Sequence, residues 1–136
     1  RDRLNVLRTD AQFWLDLDEL VATSEVLVDR PAGQPHPDFP ELIYPFDYGY
    51  LAATTGGDGA EIDVWIGSLT ELTVTAVACT VDRYKRDAEL KVFLGCSEDD
   101  LARISTFLRV EAELPHLLIL RGSLASARGD DDRADT

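Results

Sequence analysis

Residues 72–82, Leu-Thr-Val-Thr-Ala-Val-Ala-Cys-Thr-Val-Asp, constrain the chain most, because six of these eleven residues are Thr or Val. Branched side chains lose χ1 freedom in a helix and pack well on a pleated surface, so this segment reads as a strand. A strand needs partners, and the rest of the chain offers several short ones. Residues 25–31 alternate around Val26 and Val28, and residues 61–68 follow a tight Gly-Gly-Asp-Gly turn at 56–59. Residues 90–95 follow the charged turn 83–89, and residues 114–122 supply a last strand. The aromatic segment 43–55 reads as partly extended, bent at Pro45 and Gly49. Pro31, Gly33, Pro35, Pro37 and Pro40 make residues 31–41 an irregular excursion. Residues 9–21 place Phe13, Trp14, Leu17, Leu20 and Val21 near one helical stripe, with Thr9 or Asp10 as cap. Ser97 and Asp100 form a capping-box start for a helix carrying Leu101, Ile104 and Leu108 inward. The expected class is α+β, mainly β: a small five-stranded antiparallel barrel of the OB (oligonucleotide-binding) type with flanking helices.

At 136 residues the chain suits a single domain, expected over residues 1–125, with residues 126–136 as a disordered acidic tail. Its 26 acidic residues against 13 Lys and Arg, a net charge of −13, exclude a basic footprint for nucleic acid or anionic membrane. The same balance favours a cation partner, or an anion carried in by metal ions. No apolar run approaches the roughly 20 residues of a membrane span. Cys79 and Cys96 are too few for a disulfide scaffold and read as small core residues of a reduced, cytoplasmic protein.

The chemistry-bearing feature is the placement of carboxylates. Asp58 and Asp63 stand five residues apart around a turn and a strand start, and Asp82 and Asp87 repeat that spacing on the next hairpin. Four carboxylates at neighbouring strand ends repel unless a cation joins them, and hard oxygen ligands suit Mg²⁺ or Mn²⁺. The plainer reading is that these are ordinary turn residues, since Asp-Gly is a common hairpin turn.

The segment Glu41-Leu-Ile-Tyr-Pro-Phe-Asp-Tyr-Gly-Tyr50, followed by Asp58-Gly59 and Asp63-Val64, resembles the signature of the Mg²⁺-dependent, barrel-forming soluble inorganic pyrophosphatases. The resemblance, extended by Asp82 and Asp87, runs over residues 41–94. It implies a metal cage of Asp58, Asp63, Asp82 and Asp87, with Tyr48 near the phosphate, and Tyr44 and Tyr50 in support. It further implies Arg30, Arg86 and Lys91 as ligands of substrate oxygens, and a homo-oligomer acting on pyrophosphate or another small phosphate compound. In the family a middle acid helps to activate water; here that position is Ala60, with Glu61 beside it as a substitute. The lysine expected two residues after Asp87 is Glu89, Lys91 lies two further on, and the C-terminal Tyr-Lys pair has no counterpart. Two readings follow from these departures: slow Mg²⁺-dependent hydrolysis of pyrophosphate, or a relative that binds metal and a phosphate-bearing ligand without turning it over.

Overall fold

The computed structural model describes residues 3–122. Helix α1 (Arg3–Ala22) is followed by β1 (Val26–Arg30), β2 (Asp47–Leu51), β3 (Ile62–Ile66), β4 (Val74–Asp82) and β5 (Asp87–Leu94). Helix α2 (Glu98–Thr106) runs into a π-helical turn (Phe107–Glu111), and β6 (His116–Leu120) closes the series. The strands form one six-stranded sheet in the order β1-β2-β3-β5-β4-β6. Its neighbours are antiparallel except β3 and β5, which run parallel with Asp63 opposite Lys91.

The mainly-β expectation holds, but the five-stranded antiparallel barrel gives way to an open mixed sheet. The reason lies in β4. One of its edges takes β5 and the other takes β6, so neither remains for β1, which pairs with β2 alone. Helix α1 also starts earlier than expected, which puts Thr9 and Asp10 inside it and not at its cap. The tail expected at residues 126–136 lies outside the described residues.

Side chains alternate across a strand, so each face of the sheet collects one parity of residues. One face gathers Leu51, Val64, Val77, Val92 and Leu94 beneath Leu17 of α1, a mainly aliphatic contact. The other gathers Trp65, Phe93, Ala76 and Ala78 against Leu101, Ile104, Phe107 and Leu108 of the α2 region, with Tyr44 from the aromatic segment that follows the Pro-rich excursion. Cys96 belongs to this second core, where burial pushes its thiol up to about 12. Cys79, expected inside as well, is exposed. It shares the α1 side with Val77, but it lies opposite Leu117 and Leu90, both exposed, on a part of the sheet left uncovered.

Helix α2 starts where the sequence indicates. Ser97 Oγ accepts from Asp100 N and Asp100 Oδ2 accepts from Ser97 N, both at 3.0 Å. The same carboxylate accepts from Ser68 N and Ser68 Oγ at 2.8 Å, tying the end of β3 to the helix. Burial alone would raise the Asp100 carboxyl, but these donors overcome it and hold the group below its usual range.

Candidate functional site

The half of the aromatic face away from α2 carries the polar residues. Strand alternation puts Trp65 under the helix and Asp63 beyond it on β3, and it puts Phe93, then Lys91, Glu89 and Asp87 in one row on β5. On β2, Tyr48 lies opposite Trp65 and Tyr50 opposite Asp63. Gly49 between them is required by close approach: a Cβ there would run into the Leu27 carbonyl of β1.

A β-bulge brings in Arg30. The β1–β2 register slips between Val28 and Arg30, leaving Asp29 without a partner and setting Arg30 opposite Tyr48. The Arg30 guanidinium donates to Tyr44 Oη at 2.6 Å and lies 5.6 Å from the Tyr44 ring centre. His36 stacks on the same tyrosine, at 6.2 Å between ring centres, while its Nδ1 accepts from Asp38 N and Phe39 N. The excursion therefore folds back as a wall beside the strands, anchored by Tyr44.

At the centre stands Lys91, only 5% exposed. Its ammonium donates to Tyr48 Oη at 2.7 Å, to Asp63 Oδ2 at 3.3 Å and to Glu89 Oε2 at 3.5 Å. Tyr48 Oη in turn donates to Asp63 Oδ2 at 2.8 Å. Burial, followed by the charge of Asp63, drives the Tyr48 hydroxyl far above its ordinary value, so it is a neutral donor at any working pH. Burial, then a shared hydrogen bond with Asp58, raises the Glu89 carboxyl, and that bond lowers Asp58 in return.

The residues marked out in the sequence thus divide. Tyr48, Asp63, Lys91 and Arg30 meet on one face, with Asp58 reaching them through Glu89. Asp82 instead accepts from Tyr84 N and Lys85 N at 3.0 Å, capping its own turn, and Asp87 lies directly across the ladder from it. Arg86 is exposed at the tip of that hairpin with φ of 59°, and Glu61 is exposed just before β3. No group of three His, Cys, Asp or Glu stands close enough to hold a metal ion among the described residues. The donor set thus does not fit a resident divalent ion, since Asp63 is already engaged by a phenol and an ammonium. Glu89, read in the sequence as a departure, is the acid missed. The alternation Asp87, Glu89, Lys91 was the signal that would have placed it beside the lysine.

No protein-family model matches the chain, and no curated protein sequence matches it. Among solved structures it is similar to an inorganic pyrophosphatase from Neisseria gonorrhoeae, with a TM-score of 0.51 and 18% identity over 62% of this chain and 70% of that one. It is also similar to an inorganic pyrophosphatase from Coxiella burnetii, with a TM-score of 0.46 and 14% identity over 68% of this chain and 81% of that one. What the likeness to the Neisseria enzyme establishes is a shared fold.

Proposed function

We propose that this chain binds inorganic pyrophosphate, or a related small phosphoanhydride, and hydrolyses it to phosphate. The observation that carries this reading is the meeting of Arg30, Tyr48, Asp63 and Lys91, drawn from four different strands, at one end of a face that fold and motif both relate to pyrophosphatases. Mg²⁺ or Mn²⁺ enters as part of the substrate. A chain of net charge −13 whose site holds Asp58, Asp63 and Glu89 repels bare pyrophosphate, whereas the metal complex carries less negative charge.

Phosphoryl transfer depends mainly on positioning and neutralisation of charge on the phosphate oxygens. Arg30 spends one N–H on Tyr44 and keeps the rest of its fork for two phosphate oxygens. Tyr44 and Tyr48 hold that guanidinium in place with their rings, at 5.6 and 6.0 Å. Lys91 contributes positive charge from below. Asp58, exposed at the turn, is the acceptor for a proton from the attacking water, and Glu61 stands next to the same turn.

The test is phosphate release from pyrophosphate with and without Mg²⁺, on the wild type and on Asp63→Asn. Metal-stimulated release that falls at least about 100-fold in the variant supports the reading, on the usual scale for losing a catalytic polar group. No release from either protein overturns hydrolysis. A second reading, binding without turnover, draws on Ala60, which puts a methyl group at the turn where the family has an acid. Pyrophosphate binding by calorimetry without release, together with release gained in Ala60→Asp, would favour it.

A further inference from the structure

Lys91 sits where the carboxylates most need a cation. Its ammonium has three protons, and three oxygens receive them: Tyr48 Oη, Asp63 Oδ2 and Glu89 Oε2. The arrangement follows from the sheet. The parallel β3–β5 pairing sets Lys91 directly beside Asp63, and strand alternation sets Glu89 on the same face one step along. The Lys91 stem and the Tyr48 ring lie together, with the ammonium 5.2 Å from the ring centre. Without a positive charge these acids repel one another, and the cluster opens or takes up protons.

A divalent ion bound by Asp63 would need oxygens at about 2.0–2.1 Å for Mg²⁺, or 2.3–2.6 Å for Ca²⁺. Asp63 Oδ2 already accepts from both the phenol and the ammonium. We propose that the Lys91 ammonium is the resident cation of this cluster, joining Asp63 to Glu89 in the place a divalent metal would otherwise take. This deepens the phosphate-site reading, on which its functional meaning rests. The acidic cluster is then assembled before any metal arrives, and metal comes only with the substrate. Removing the ammonium should turn the same acids into a divalent-cation site.

The experiment contains no phosphate compound, so its outcome is independent of any hydrolysis assay. Mg²⁺ and Mn²⁺ are titrated calorimetrically into the wild type, Lys91→Ala and Lys91→Gln. Melting temperatures are recorded with each metal against NaCl of equal ionic strength, which removes simple screening. Expected is no saturable binding to the wild type up to millimolar metal, with melting shifted by under about 1 °C relative to the salt control. Both variants melt lower without metal and gain several degrees with Mn²⁺, as a ligand that binds only the folded state requires. A variant that folds only when metal is supplied gives the same answer. Saturable metal binding by the wild type that Asp63→Asn abolishes overturns the proposal. So does failure of both folded variants to acquire metal.

Discussion

Two hairpins of this protein carry the same spacing of acids and end in different chemistry. In the first, Asp58 caps the turn through Ala60 N at 3.1 Å and Asp63 lies inside β3 against Lys91 and Tyr48. In the second, Asp82 caps the turn through Tyr84 N and Lys85 N, and Asp87 stands opposite it with no basic partner in the ladder. The leading acid does similar work in both, since short polar side chains satisfy turn N–H groups wherever they occur. The trailing acids diverge because β3 lies beside a strand that carries a lysine at the matching level, whereas Asp87 lies across from another carboxylate. Register across the sheet, and not spacing along the chain, decides which acid becomes part of a site.

The largest effect should come from Asp63→Ala. It leaves a nearly buried ammonium with one carboxylate fewer and removes the acceptor of the Tyr48 hydroxyl. Loss of one partner of such a pair costs up to about 3–5 kcal/mol when both are buried. Asp63 is about one-third exposed, so urea unfolding should show a loss of about 2–3 kcal/mol. An unchanged midpoint would mean that the two hairpins are alike after all.

Next in size is Arg30→Lys. A lysine retains the charge but loses the planar fork that both meets Tyr44 and stacks on it. The expected outcome in steady-state kinetics on pyrophosphate is a KM raised about 10-fold, equivalent to about 1.4 kcal/mol, with kcat changed less. A fall in kcat alone would place Arg30 on the reacting group and not on substrate binding.

Much of this was legible in the sequence, and the boundary of legibility is instructive. Each strand is bounded by its own turn residues, so β3, β4, β5 and β6 could be read from local composition. The Ser97 and Asp100 capping box was equally local. Most of the differences are matters of pairing. That β4 gives its second edge to β6, and so leaves the sheet open, depends on residues some 40 positions apart in the chain. The bulge at Asp29 that redirects Arg30 leaves no mark on the composition of β1. The resemblance offers Lys91 as a ligand of substrate oxygens, and the sheet pairing sets its ammonium against Tyr48, Asp63 and Glu89. Glu89 was passed over because it stood in the place of an expected lysine.

The second hairpin supplies the two smaller effects. Asp82→Ala removes an acceptor for two backbone N–H groups in an exposed turn, where water can replace it. The loss should be about 0.5–1 kcal/mol, comparable with other exposed caps, and activity should follow wild type. A drop in phosphate release of tenfold or more, with that small stability loss, would draw the second hairpin into the site.

Asp87→Asn should have the smallest effect and the opposite sign. Asp82 and Asp87 lie directly opposite each other in an antiparallel pair, and like charges so placed destabilise the ladder. An asparagine keeps the shape and removes the repulsion, so stability should rise by a few tenths of a kcal/mol. The gain should shrink as salt increases, because both groups are only half-buried and the interaction is screened within about 10 Å at 0.1 M. In Asp63→Asn the same isosteric change takes charge from a carboxylate that already has its cation, so stability falls there. A pair of urea curves at low and high salt therefore sets the two hairpins apart by the direction of the shift. If Asp87→Asn is destabilising instead, the Asp87 carboxylate has a cation of its own, and the difference between the hairpins disappears.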